Sequence, residues 1–105
     1  MTYLFDSQGR FIAIELNEGL FTVEGKNIGR YLRNAGIYVD LTGRYLGEII
    51  NINRLAADRN SRHHQTSFGR QNRSPDIDSH SADVKRHSPS ALPPGYEDIS
   101  PERLR

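Results

Sequence analysis

The segment FDSQGR at residues 5–10 returns as VDLTGR at 39–44, and a divergent copy, FTVEGK, lies between them at 21–26. A phrase repeated three times in so short a chain restricts it to architectures built from copies of one supersecondary unit. Anchored on Gly9, Gly25 and Gly43, the copies are 16 and 18 residues apart and match in five columns. Asp6, Thr22 or Asp40 stands three before the glycine, and Arg10, Lys26 or Arg44 one after it. Ile12, Ile28 or Leu46 follows at three, Ala13, Gly29 or Gly47 at four, and Leu16, Leu32 or Ile50 at seven.

Each copy reads as a β-hairpin. A short apolar strand enters a three-residue loop whose last member is glycine, the pattern of a type I turn closed by a left-handed residue in a bulge. Asp6 and Asp40 are expected to accept hydrogen bonds from the N–H groups of their turns, and Thr22 to do so more weakly. The basic residue after the glycine then faces the acid across the hairpin mouth. Arg10, Lys26 and Arg44 are candidates for an anion-binding ring, although turn chemistry with an exposed cross-strand ion pair accounts for the same residues. Ala13, Gly29 and Gly47 are expected to let another backbone approach closely, because a small residue recurring inside a strand otherwise weakens it.

A small residue recurring once per hairpin points to hairpins packed radially around a crowded centre, so that the assembled ring makes a core no single unit could. Leu4, Leu20 and Tyr38 are out of phase with Phe5, Phe21 and Val39, so both faces of the strands need cover. Continuing the 18-residue step reaches Ser61 and sets Asp58 and Arg62 in the acidic and basic columns of a fourth, eroded copy, which is expected to supply one strand and close the ring. The fold class is therefore all-β, with three to four short hairpins arranged radially and followed by a disordered tail.

The units FDSQGR, GKNIGRYL and VDLTGRYLGEI, ending in NRLAADRNS, resemble the four-fold beta-flower proteins, small bacterial chains in which hairpin petals surround a pseudo-four-fold axis. The resemblance covers roughly residues 3–62 and implies a fold rather than an activity. Thr22 and Ser61 depart from the petal pattern. DLTGRYLGEIINI is also similar to a strand pair of a PRC-barrel, and FDSQGR to the YD repeats of Rhs-type shells, but neither predicts three matched copies in so short a chain.

Composition divides the chain near residue 60. Residues 1–59 carry seven acids and seven bases, whereas all four histidines and all five prolines lie beyond. Residues 63–91 are polar and aperiodic and are expected to be a disordered linker, because they offer too little apolar surface to offset chain entropy. The domain is then residues 1–62, close to the lower limit at which a single core suffices. Residues 92–105 form an apolar island in which Leu92, Tyr96, Ile99 and Leu104 are candidate partner-binding anchors, with a short capped turn at Ser100-Pro101-Glu102. Such a segment either orders on a partner protein or docks back onto the β domain.

The net charge of +1 gives no general attraction to nucleic acid or an anionic membrane. There is no cysteine, the start lacks a signal-peptide pattern, and no apolar run is long enough for a membrane span, so a cytoplasmic location is expected. His63, His64, His80 and His87 lack zinc-site spacing and fall in the polar stretch, so neither a metal, a cofactor nor catalysis is expected. The function expected is a non-enzymatic interaction or scaffold module presenting a C-terminal recognition peptide. The alternative is a nucleic-acid-binding module using Arg10, Lys26, Arg30, Arg33, Arg44 and Arg54 beside Phe11, Tyr31 and Tyr45.

Overall fold

A computed structural model describes residues 1–105, with the side chain of Ser81 left out. Seven antiparallel strands follow one another: β1 (Thr2–Phe5), β2 (Phe11–Leu16), β3 (Gly19–Phe21), β4 (Asn27–Leu32), β5 (Ile37–Asp40), β6 (Tyr45–Ile50) and β7 (Arg54–Asp58). Each pairs with the next, and β7 returns to β1 through a parallel bridge between Arg54 and Phe5, closing a barrel-like ring. The protein is all-β, built of consecutive hairpins.

The three repeated phrases form three outer turns of one design. The N–H groups of Asp6, Thr22 and Asp40 donate to the carbonyls of Arg10, Lys26 and Arg44, and those of Gly9, Gly25 and Gly43 donate back to Asp6, Thr22 and Asp40. The three glycines have φ of +83°, +96° and +90°, the left-handed region that closes a three-residue loop. Register then slips at the same place in each petal: Leu4 faces Ala13 but Phe5 faces Phe11, Leu20 faces Gly29 but Phe21 faces Asn27, and Tyr38 faces Gly47 but Val39 faces Tyr45. The residue passed over is Ile12, Ile28 or Leu46, so the matched column three after the glycine is a conserved bulge position within the chain.

The fourth turn is formed by Asp58–Ser61, where Ser61 N–H donates to Asp58 C=O and Asp58 Oδ1 accepts from Asn60 N–H. Its partner strand comes from the far end of the chain. A two-residue β8 (Tyr96–Glu97) pairs antiparallel with β7, placing Glu97 opposite Ala57 and Tyr96 opposite Asp58. Arg59 N–H donates to Gly95 C=O, extending the same ladder.

The central core joins Leu4, Ala13, Leu20, Ile28, Tyr38, Leu46 and Leu55 with Ile99 and Leu104. Seven of these nine buried residues come from the ring and two from the C-terminal segment. Ile99 and Leu104 are only 8% and 7% exposed and cap one face of the ring from the irregular stretch after β8 and from the single 3-10 turn Pro101–Leu104.

Residues 62–92 lack strands and carry a turn at 62–65 and the short 3-10 turn Ser81–Asp83. Backbone hydrogen bonds tie them to the repeated turns. Phe68 N–H donates to Gly43 C=O, Ile77 N–H to Gly25 C=O and His87 N–H to Gly9 C=O, while Gln71 and Ser90 N–H reach Leu41 and Ser7 C=O. The chain thus runs back around the outside of the ring as a belt, meeting the repeated turns in the order third, second, first. Its side chains cover the outward column: His87 stacks on Phe5 at 3.8 Å, and Phe68 packs on the cluster of Ile37, Val39 and Tyr45. Entropy is offset here mostly by main-chain hydrogen bonds at preformed turns rather than by apolar area, which is why an apolar-content argument misses it.

Candidate functional site

The turn residues do more than turn. A Cβ placed on Gly9, Gly25 or Gly43 would lie 1.9 Å from His87 O, 2.0 Å from Ile77 O or 2.2 Å from Gly69 O. In each case the obstacle is belt backbone, so the glycine column serves a left-handed turn and a close approach together. Asp6 Oδ1 accepts from the N–H groups of Gln8 and Arg10, and Asp40 Oδ1 accepts from those of Thr42 and Arg44 and from the Thr42 hydroxyl. Thr22 Oγ1 accepts from Lys26 N–H alone.

The basic column behaves differently at each petal. Arg10 pairs with Asp6 at 2.8 Å while remaining 62% exposed, the cross-strand pair expected from the phrase. At the third petal Asp40 pairs instead with Arg103 at 3.1 Å. Arg10, Lys26 and Arg44 stand one on each of the three repeated turns.

The small column sits where backbones crowd. A Cβ on Gly29 would come within 2.4 Å of Val39 O, and one on Gly47 within 2.5 Å of Ala56 O and 2.8 Å of the Ile99 side chain. Ala13 is fully buried opposite Leu4. Gly47 therefore helps make the seat for Ile99, linking a column of the repeat to the C-terminal segment.

That segment is the most site-like part of the molecule. Asp98 accepts from Ser7 N–H at 2.8 Å and from its hydroxyl at 2.6 Å, tying it to the first petal. Tyr96 OH donates to Glu48 at 3.4 Å, and the Tyr45 hydroxyl donates to the same carboxylate at 2.7 Å while accepting from Asp58 N–H. Burial, and then the Glu48 carboxylate, raise the Tyr45 pKa against the opposing bond from Asp58, so this hydroxyl stays protonated and remains a donor. Leu92 is half-buried ahead of Pro93. Beneath the segment lies a cavity of about 420 Å³ lined by Phe11, Ile12, Val23, Ile99, Pro101 and Leu104, with the polar groups of Asp6, Arg10 and Asp98 at its edge.

Some residues escaped the sequence reading. Arg54 is 8% exposed, and its guanidinium donates to Asp6 C=O at 2.9 Å and Ser88 C=O at 2.8 Å, fastening the first turn, the ring closure and the belt at one point. Asn27, buried at 1% exposure, donates to Leu20 and Gly29 carbonyls and accepts from Ser74 N–H of the belt. Of the nucleic-acid candidates, Phe11 packs edge-on against Tyr3, Tyr31 against Tyr38, and Tyr45 is buried with His64 at its edge. The available signal was the glycine column itself, since a left-handed turn position alone would also accept asparagine.

Among the described residues no group of three or more acidic or histidine side chains is placed to hold a metal ion, and no helix is long and apolar enough to cross a membrane. Set against protein-family models, curated proteins and solved structures, the chain matches none of them.

Proposed function

We propose that the chain is a non-enzymatic interaction module in which a beta-flower-like ring holds residues 92–105 and presents them to a partner protein. The four Asp/Thr-x-x-Gly/Ser turns around one closed ring support the family reading. What carries the functional reading is how the segment is held. It adds a two-residue strand to the edge of β7, in the manner of a peptide augmenting a sheet, and lays Ile99 and Leu104 over a cavity it does not fill. Besides this short ladder the segment is held by Asp98–Ser7, by Arg103 and by Ile99 and Leu104 in the core, and its release as a unit exposes Tyr96, Ile99 and Leu104 as apolar anchors and frees the β7 edge.

A reversible lock tests this. Glu97 and Ala57 are directly opposed across β7 and β8, and the chain contains no native cysteine, so Ala57→Cys with Glu97→Cys ties the segment down by a single disulfide. Affinity capture with the unlocked full-length protein identifies the partner. The oxidised double variant is expected to lose that partner and recover it on reduction. Equal capture in both redox states would refute release of the segment as the binding event.

A further inference from the structure

Between the second and third petals the belt and the C-terminal turn bring together cations that are far apart in sequence. Lys26 lies at the entry to β4, Arg73 on the belt, Arg103 and Arg105 at the chain end, and all four line one recess of about 330 Å³ with Asn27, Ile28, Leu41 and Thr42. Its carboxylate is Asp40, which is already committed. Oδ1 takes two N–H groups and the Thr42 hydroxyl, and Oδ2 takes Arg103 Nη2. Burial pushes the Asp40 pKa up, but these hydrogen bonds outweigh it and hold the group below its ordinary value, so it remains a saturated anion inside the turn. Arg103 also donates from Nη1 to Tyr45 C=O, which fixes the plane of its guanidinium.

The remaining cations are poorly compensated. Among the described residues Lys26 makes no side-chain hydrogen bond or ion pair, and Arg73 pairs only with Asp76 at 3.3 Å, both partners being largely exposed. Arg105 interacts with Glu102, whose carboxylate is engaged by the Ser100 hydroxyl. Of the side chains that line the recess itself, four are cationic and one, Asp40, is anionic, Asp76 and Glu102 lying outside that lining. Three arginines and a lysine around a small concavity suit a compact dianion with several acceptor oxygens, because guanidinium forks bind phosphate oxygens in pairs. A carboxylate ligand would offer fewer acceptors to the same donors.

We propose that the recess lined by Lys26, Arg73, Arg103 and Arg105 binds a phosphate dianion, either free or as the terminal group of a small phosphomonoester. Bound there, the ligand bridges the second petal, the belt and the C-terminal turn, and so clamps the segment that closes the ring.

The test is an amide-resolved NMR titration of the full-length protein at fixed ionic strength, with sodium chloride exchanged for ligand. Inorganic phosphate is used in one arm, phenyl phosphate in a second and a short single-stranded oligonucleotide in a third. Saturable shifts centred on Lys26, Thr42, Arg73 and Arg103 are expected in the first two arms, the tighter of them telling free phosphate from monoester. Lys26→Ala with Arg105→Ala, which removes side chains outside the fold's hydrogen-bond network, should weaken binding at least tenfold without moving Tm in the absence of ligand. Shifts that fail to saturate, that spread over the surface, or that survive the double substitution would overturn the assignment. So would an oligonucleotide response centred away from the recess with none from inorganic or phenyl phosphate, since the basic groups would then serve a polyanion elsewhere.

Discussion

Replacing Gly25 by alanine separates the two roles of the glycine column, because Gly36 provides a control. Both have positive φ, +96° and +70°, but a Cβ on Gly36 meets nothing within 4 Å, whereas one on Gly25 falls 2.0 Å from Ile77 O. Gly36→Ala therefore costs only the left-handed strain, about 1–2 kcal/mol. Gly25→Ala carries the same strain and must also drive the belt carbonyl back by about 1 Å to reach the 3.0 Å that real contacts respect. That retreat breaks the 2.8 Å bond from Ile77 N–H to Gly25 C=O, adding about 0.5–1.5 kcal/mol and loosening its neighbours. The loss of unfolded-state freedom is common to both substitutions and cancels. At roughly 4–8 °C per kcal/mol, Gly25→Ala should melt several degrees below Gly36→Ala. Hydrogen exchange locates the damage: the Ile77 amide should lose protection in Gly25→Ala alone, while those of Phe68 and His87 keep theirs. Equal melting losses with Ile77 unprotected in the parent protein would refute the docked belt.

Three further outcomes follow from the same contacts. Ile99→Ala should destabilise the protein by about 2–5 kcal/mol, read as a lowered thermal midpoint, and an unchanged midpoint would place the segment off the core. Arg54→Met leaves the Ser88 carbonyl without its donor, while Asp6 C=O keeps Gly9 N–H, and should cost about 1–3 kcal/mol, measured by the urea midpoint at unchanged slope. Asp40 has a folded pKa below its ordinary 3.8, so its contribution is fully present above that value and is lost as pH falls through the lower folded pKa. Stability curves of the parent and Asp40→Asn should accordingly differ near neutrality and converge in acid, and a gap that widens in acid would contradict the turn geometry.

The petals were legible in the sequence because each carries its own local instructions. Asp6 to Gly9 and Asp40 to Gly43 specify a turn by side-chain hydrogen bonds and a left-handed glycine, and these need no distant partner. The fourth turn was legible from spacing alone, since Asp58 and Ser61 keep the register after glycine is lost. The candidate site was legible only in its members. Tyr96, Ile99 and Leu104 stand out as an apolar island, but which surface they bury depends on a β7 edge 38 residues earlier in the Tyr96–Asp58 pair. The belt was not legible because its affinity for the ring lies in backbone groups, which every residue possesses. Phe68, Ile77 and His87 occupy equivalent docking positions while sharing no residue type. Likewise Arg54 looks like any other surface cation until ring closure surrounds it with carbonyls.

The direction of the belt follows from how the ring closes. Hairpins of two short strands are marginal alone, and a ring of them leaves one unpaired edge and two apolar faces uncovered. In this chain the fourth petal has no return strand of its own, so closure must come from elsewhere in the sequence. A segment supplied immediately after β7 would have completed that petal and left Phe5, Phe21 and Val39 bare on the outside. By sending the chain backward past Gly43, Gly25 and Gly9 before adding β8 to β7, the sequence covers the outward column first and completes the fourth petal last. Because Ile99 and Leu104 enter the central cluster only at the end of that circuit, the inner core and the outer belt are linked through one segment. Loosening residues 92–105 therefore weakens the β7 edge, the core cap and the end of the belt together.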